Sequence, residues 1–222
     1  MKMIRRLIGL VVIGMTMIKP AVAQQSSADA ELEKKAGEWV TSLQLSDDVK
    51  AKRVRTAIAT HLIAVRDWHN SHPFTMIPEG INPTTGGKLS EMDRQIIICS
   101  TKPKSVHGDL MNILKNELDS TQVEVILVKY TIGKVAFTLQ GYKAIVPELT
   151  AREEAEIVKN LKQAREQAID YKNMREISAI FEIYKTKCEQ YLNNNGRNWR
   201  QMYKAYTDKI KAQKEAEKQK SN

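Results

Sequence analysis

Apolar positions recur most regularly between Thr150 and Asn193, a stretch with no Gly and no Pro. Ile157, Leu161, Ala164, Ala168, Tyr171, Met174, Ile177, Phe181, Tyr184, Cys188 and Tyr191 follow one another in steps of three and four. That spacing puts them on one face of a helix. Thr150-Ala151-Arg152-Glu153 reads as a capping box that satisfies two orphan N–H groups at the start. Asn193-Asn194-Asn195-Gly196 supplies residues that tolerate the left-handed conformation at the stop. A single straight helix of that length would span about 60 Å, so the pattern predicts either one long amphipathic rod or a helical hairpin kinked near Lys172-Asn173.

The rest of the chain carries the same period in shorter pieces. Leu32, Ala36, Trp39, Val40 and Leu43 mark a helix over 29–43. Asp47 and Asp48 open another that presents Val54, Ile58, Leu62, Val65 and Trp68 inward and ends before Pro73. Residues 73–88 hold three prolines and three glycines without periodicity, which predicts an irregular loop of the kind that often carries function. Short helices follow from Ser90, from Ser105 and, after a Leu118/Val123 staple, from Ser120. At 131–147 the period changes: Val135-Ala136-Phe137-Thr138-Leu139 alternates and Gln140-Gly141 can turn the chain, which predicts a small extended or β-hairpin excursion. A last helix from about Arg197 faces Trp199, Met202, Tyr203, Tyr206 and Ile210 inward. Beyond Lys211 only polar residues and Ala remain, a solvated tail. The expected architecture is mainly α: a signal peptide over 1–23, a single helical bundle over 24–210 and a tail over 211–222.

The signal peptide rests on a basic start (Lys2, Arg5, Arg6), an apolar run from Leu7 to Ile18 and the small residues Ala21-Val22-Ala23 before Gln24. The run is shorter than the ~20 residues that span a bilayer, so no stable membrane insertion is expected after cleavage. Removal changes the charge balance. The full chain has 35 basic and 26 acidic residues, net +9; four basic and no acidic residues leave with the leader, so the remainder carries 31 against 26, or +5. A mildly basic exported chain does not point to nucleic acid, while acidic glycans remain compatible partners. Two cysteines, Cys99 and Cys188, allow one disulfide in an oxidising compartment. Their places beside an apolar run and on an apolar stripe favour two buried thiols instead.

Candidate chemistry is sparse. His61, Trp68 and His72 fall within roughly 40° of one another on a helical wheel, and His69 lies off that line. His69 and His72 could offer two imidazoles to a metal, but no third donor is visible in the sequence, so no metal site is expected. These residues otherwise read as polar contacts at the mouth of the 73–88 loop, joined by Arg94, or more simply as the rim of a helix end. In Gly196-Arg197-Asn198-Trp199-Arg200, the guanidinium groups suit a carboxylate and the Trp face suits a sugar ring. The simpler alternative is a turn in which Gly196 and Asn198 cap helices and Trp199 fills the corner. No nucleophile motif, dinucleotide fingerprint or phosphate loop occurs, so no catalytic residue and no cofactor is assigned.

Arg66-Asp67-Trp68-His69, Gly133-Lys134-Val135 with Gly141-Tyr142 and Ile145-Val146-Pro147, Tyr171-Lys172-Asn173-Met174, and Gly196-Arg197-Asn198-Trp199-Arg200 resemble a family of secreted proteins from Bacteroides-type bacteria. That family is described only as a domain of unknown function with a suggested sugar-binding role, and the likeness covers nearly the whole chain after the leader. It implies an envelope protein of a glycan-degrading bacterium with a sugar ligand, and offers no catalytic residues to carry over. A weaker resemblance is to Spy-type periplasmic chaperones with their Leu-Thr-x-x-Gln helix openings. Leu118 to Gln122 has Asp119 where Thr belongs, and Leu149-Thr150 is followed by Glu153 in place of Gln. Three expectations follow: a non-catalytic glycan binder using Trp68, His69, His72, Arg94, Arg197, Asn198, Trp199 and Arg200; a helical chaperone or interaction protein; and a carbohydrate-active enzyme.

Overall fold

The computed structural model describes residues 21–83 and 85–220. The leader expected over 1–23 lies outside the described residues except for 21–23. Among the described residues the chain forms nine α-helices: α1 (Ala21–Thr41), α2 (Asp48–Ser71), α3 (Glu91–Ser100), α4 (Lys104–Glu117), α5 (Ser120–Tyr130), α6 (Lys134–Ile145), α7 (Ala151–Ala168), α8 (Met174–Asn194) and α9 (Trp199–Lys220). The mainly α bundle read from the pattern is the observed class. No helix among the described residues is long and apolar enough to cross a membrane.

Helix starts follow local chemistry. Asp47 accepts from the Lys50 N–H at the head of α2. Reciprocal capping boxes open α3 (Ser90/Asp93), α5 (Asp119/Gln122) and α7 (Thr150/Glu153), each satisfying donors that would otherwise face solvent alone.

Two apolar cores result. The first joins α1, α2, α4 and α5 through Trp39, Ile58, Leu110, Leu114 and Ile126. The second joins α3 and α6 to the α7–α8 hairpin through Tyr142, Ile157, Leu161, Ile180, Phe181 and Leu192, with Trp199 and Met202 of α9 packed on it. Side chains of this size, fully removed from water, each contribute about 1.5–3 kcal/mol. The 150–193 stripe is thus a hairpin, broken at 169–173, where Asn173 turns extended and its side chain accepts from the Arg175 and Glu176 N–H groups. The break straddles the two cores: Ile169 enters the first and Tyr171 the second. Met174, expected on the inward stripe, is exposed because it opens α8 on the outer side of the turn.

The excursion over 131–147 is a helix, not a hairpin. Ile132 and Gly133 both take positive φ, which ends α5 abruptly and restarts the chain as α6. Val135, Leu139, Tyr142 and Val146, in steps of four, three and four, face the second core. The alternation that suggested a strand puts Phe137 on one face with Val135 and Leu139, whereas in the helix it points away from them and is 78% exposed. Gly141 lies mid-helix with no neighbour that a Cβ would meet. Extended pairing occurs instead in the 73–88 loop, where Ile81 and Lys88 form an isolated antiparallel bridge. The expected tail is also helical: α9 continues to Lys220, and the side chains of 211–219 are exposed.

Candidate functional site

The α7–α8 turn gathers titratable side chains from several helices. Asp170 sits in it with one oxygen 2.9 Å from His61 Nε2 (α2) and the other 3.1 Å from His107 Nδ1 (α4). His61 Nδ1 lies 3.1 Å from the Tyr130 hydroxyl, and the Lys102 ammonium donates to the Asp170 carbonyl at 2.6 Å. His61 and Tyr130 are buried between helices of the first core, so the turn is tied to that core by a polar chain, Tyr130–His61–Asp170–His107.

The environment separates the members of this chain electrically. Burial opposes charge on Asp170, yet the ion-pair contact with His107, the hydrogen bond with His61 and the charge of Lys102 outweigh it and hold the carboxyl well below the ordinary range. The nearby Asp170 carboxylate raises His107 against the cost of its partial burial. Burial lowers His61 in spite of the same carboxylate, and burial lowers Lys102. The fold therefore shifts His107 toward the charged form and His61 toward the neutral one. A cavity of about 680 Å³ opens beside them, lined by Cys99, Lys102, His107, Glu166, Asp170 and Tyr171. It can hold an anionic or polyhydroxyl group against Lys102 and His107, or pass a proton between His107 and a bound molecule.

On the other side of the same turn, Glu176 is 1% exposed. It accepts from the Lys172 N–H at 3.1 Å and from the Asn173 side-chain amide at 2.7 Å, and lies 2.8 Å from His69 Nδ1. The Cys99 sulfur completes a group of His, Cys and Glu donors lying within 4.8 Å of one another.

A third feature is a groove of about 630 Å³ between α6, α8 and α9. Its aromatic surface is Phe137, Trp199, Tyr203 and Tyr206, with Tyr142 at the base and Gln140, Glu182, Lys185 and Glu189 along the polar side. Tyr203 is 50% exposed. Trp199 tilts against Tyr142 (5.2 Å between centroids) and Tyr203 (5.9 Å). Burial raises the Glu189 carboxyl above its usual range.

The residues expected from the sequence are divided among these places and do not form one site. Trp68 is half-buried, stacks on His72 at 3.7 Å and donates to the Ile98 carbonyl at 3.4 Å. Arg94 donates to the Ile77 carbonyl and lies over the Phe74 ring. Arg94 thus braces the 73–88 loop, while Trp68 and His72 tie the end of α2 to α3. Arg197 is committed to buried Glu153 through two bonds of 2.9 Å and to the Pro147 and Glu148 carbonyls. Asn198 accepts from the Gln201 N–H in the first turn of α9, and Arg200 is exposed. Trp199 reaches the aromatic groove and His69 reaches Glu176. The sequence reading missed His107, Lys102, Asp170 and Glu176, which come together only through tertiary packing. The one local signal was a polar Asp170-Tyr171-Lys172-Asn173 interruption in the strongest apolar stripe of the chain.

No match to the chain was found among curated proteins. A family profile does match residues 29–212, from the third turn of α1 into the exposed part of α9. It spans both cores, the α7–α8 turn and the aromatic groove, and the chain belongs to the family described as protein of unknown function DUF3826.

Proposed function

We propose that the chain is an exported, non-catalytic binding protein for a glycan or sugar fragment, held in the groove between α6, α8 and α9. The observation that carries this reading is the aromatic surface made by exposed Phe137 and Tyr203 and half-buried Trp199 beside Gln140, Glu182 and Lys185. An apolar ring face next to hydrogen-bonding side chains suits a sugar, whose C–H face stacks while its hydroxyls seek polar partners. The leader over 1–23 supports an envelope location, and the resemblance to secreted proteins of Bacteroides-type bacteria supports a glycan as the ligand. A glycan array followed by calorimetry tests the reading. At least one acidic or neutral oligosaccharide binds, and Trp199→Ala or Tyr203→Ala weakens it about tenfold, the loss of roughly 1.4 kcal/mol. Failure of the whole array to bind, or binding untouched by both substitutions, would reject the groove.

A second reading, a carbohydrate-active enzyme, is favoured by the His107–Asp170 pair facing the 680 Å³ cavity. Turnover of an array ligand that disappears in His107→Gln would select it over simple binding.

A further inference from the structure

Three helix ends converge where no single stretch of sequence holds a metal motif. His69 comes from the last turn of α2, Cys99 from the last turn of α3 and Glu176 from the first turn of α8. Their ligating atoms lie within 4.8 Å of one another, and Cys99 and Glu176 are 5% and 1% exposed. A buried carboxylate is costly unless it is paired. Here the nearest imidazole is approached off-line: His69 Nδ1 is 2.8 Å from Glu176 Oε1, yet the buried nitrogen makes no hydrogen bond. Ring nitrogen and carboxylate oxygen thus stand side by side rather than one donating to the other.

We propose that His69, Cys99 and Glu176 form a binding site for a borderline-soft divalent cation of the zinc type. One nitrogen, one sulfur and one oxygen suit such an ion, and three protein ligands leave a position open for solvent. A tetrahedral ion sets its donors about 3.3–3.6 Å apart, so the His69–Glu176 pair, at 2.8 Å, has to open by about 0.5 Å and the widest pair, within 4.8 Å, to close by about 1 Å. The surroundings are those of a ligand shell. Gln95 Nε2 donates to the Cys99 sulfur at 3.2 Å and to the His72 carbonyl at 3.2 Å, which fixes the sulfur. The Lys172 N–H and the Asn173 amide orient the carboxylate. Such partners hold the ligands and tune the metal. In the metal-free protein, burial keeps the Cys99 thiol protonated; an ion takes the thiolate and releases that proton to solvent. Cys99 also lines the 680 Å³ cavity, which gives solvent access on the sulfur side.

Cobalt(II) is the probe, because a cobalt–thiolate bond absorbs in the near ultraviolet. The reduced protein titrated with Co2+ is expected to bind one equivalent with a thiolate charge-transfer band that Zn2+ bleaches. Cys99→Ser, a near-isosteric change, removes the band, and Glu176→Gln weakens binding tenfold or more. Glu176 also supports the start of α8, so circular dichroism accompanies that variant, and Cys99→Ser alone decides if it fails to fold. Absence of a charge-transfer band, or a band unchanged in folded Cys99→Ser, overturns the proposal.

Discussion

Asp170 shows how one residue can set the pH response of the molecule. Its carboxyl stays charged in the fold at pH values where the unfolded chain takes up a proton. Its contribution is therefore present above about pH 4 and is lost as the pH falls below that. His107 works in the opposite sense: raised by Asp170, it contributes fully below about pH 6.5, and this is lost as the pH climbs through its folded value. His61, held neutral by burial, costs stability below about pH 6.5, because the unfolded chain accepts a proton that the fold refuses. Asp170→Asn is accordingly expected to cost about 2–3 kcal/mol at neutral pH. It should also flatten the acid limb of the stability profile below pH 4 and return His107 toward its ordinary titration. Urea unfolding at several pH values and imidazole NMR check each point; an unchanged His107 titration would show that the pair is not formed. None of this was legible in the chain, since His61, His107 and Asp170 are far apart in sequence and become neighbours only when the turn docks.

At the scale of elements, the pattern was most readable where the helical period ran uninterrupted. The helix starts at Asp47, Ser90, Asp119 and Thr150 stand where their capping residues put them. The failure at α6 has a specific cause. Val135, Phe137 and Leu139 satisfy a two-residue period while Val135, Leu139, Tyr142 and Val146 satisfy a helical one, and Gly141 tipped the reading toward a turn. Substitutions separate the two periods. Phe137→Asp should leave stability within about 0.5 kcal/mol, as exposed positions do, while abolishing binding of any groove ligand. Tyr142→Ala should cost about 3–5 kcal/mol through the cavity it leaves. Urea midpoints for the two variants check this, and a large loss at Phe137 would restore the alternating reading. The candidate site was less legible than the fold because exposure of an aromatic depends on which neighbour covers it. Trp199 was readable as a candidate, but Tyr203 was assigned to the interior from its spacing, and Phe137 was read only as part of an alternating segment.

The whole molecule is two cores joined by polar contacts: His61 with Asp170, Arg165 with Glu124, and Lys172 with Asn70. The leader expected over 1–23 gives a test at the same scale. Expression in a Gram-negative host should yield an envelope-fraction protein whose first residue, by mass spectrometry, is Gln24. A cytoplasmic protein beginning at Met1 would contradict the leader.

The turn that divides the α7–α8 stripe also bears on how the molecule comes apart. Because Ile169 is a plug in one core and Tyr171 a plug in the other, neither half can loosen without pulling a neighbour of Asp170 from its socket. Melting should be a concerted event, with a single endotherm for both halves in spite of the seam between them.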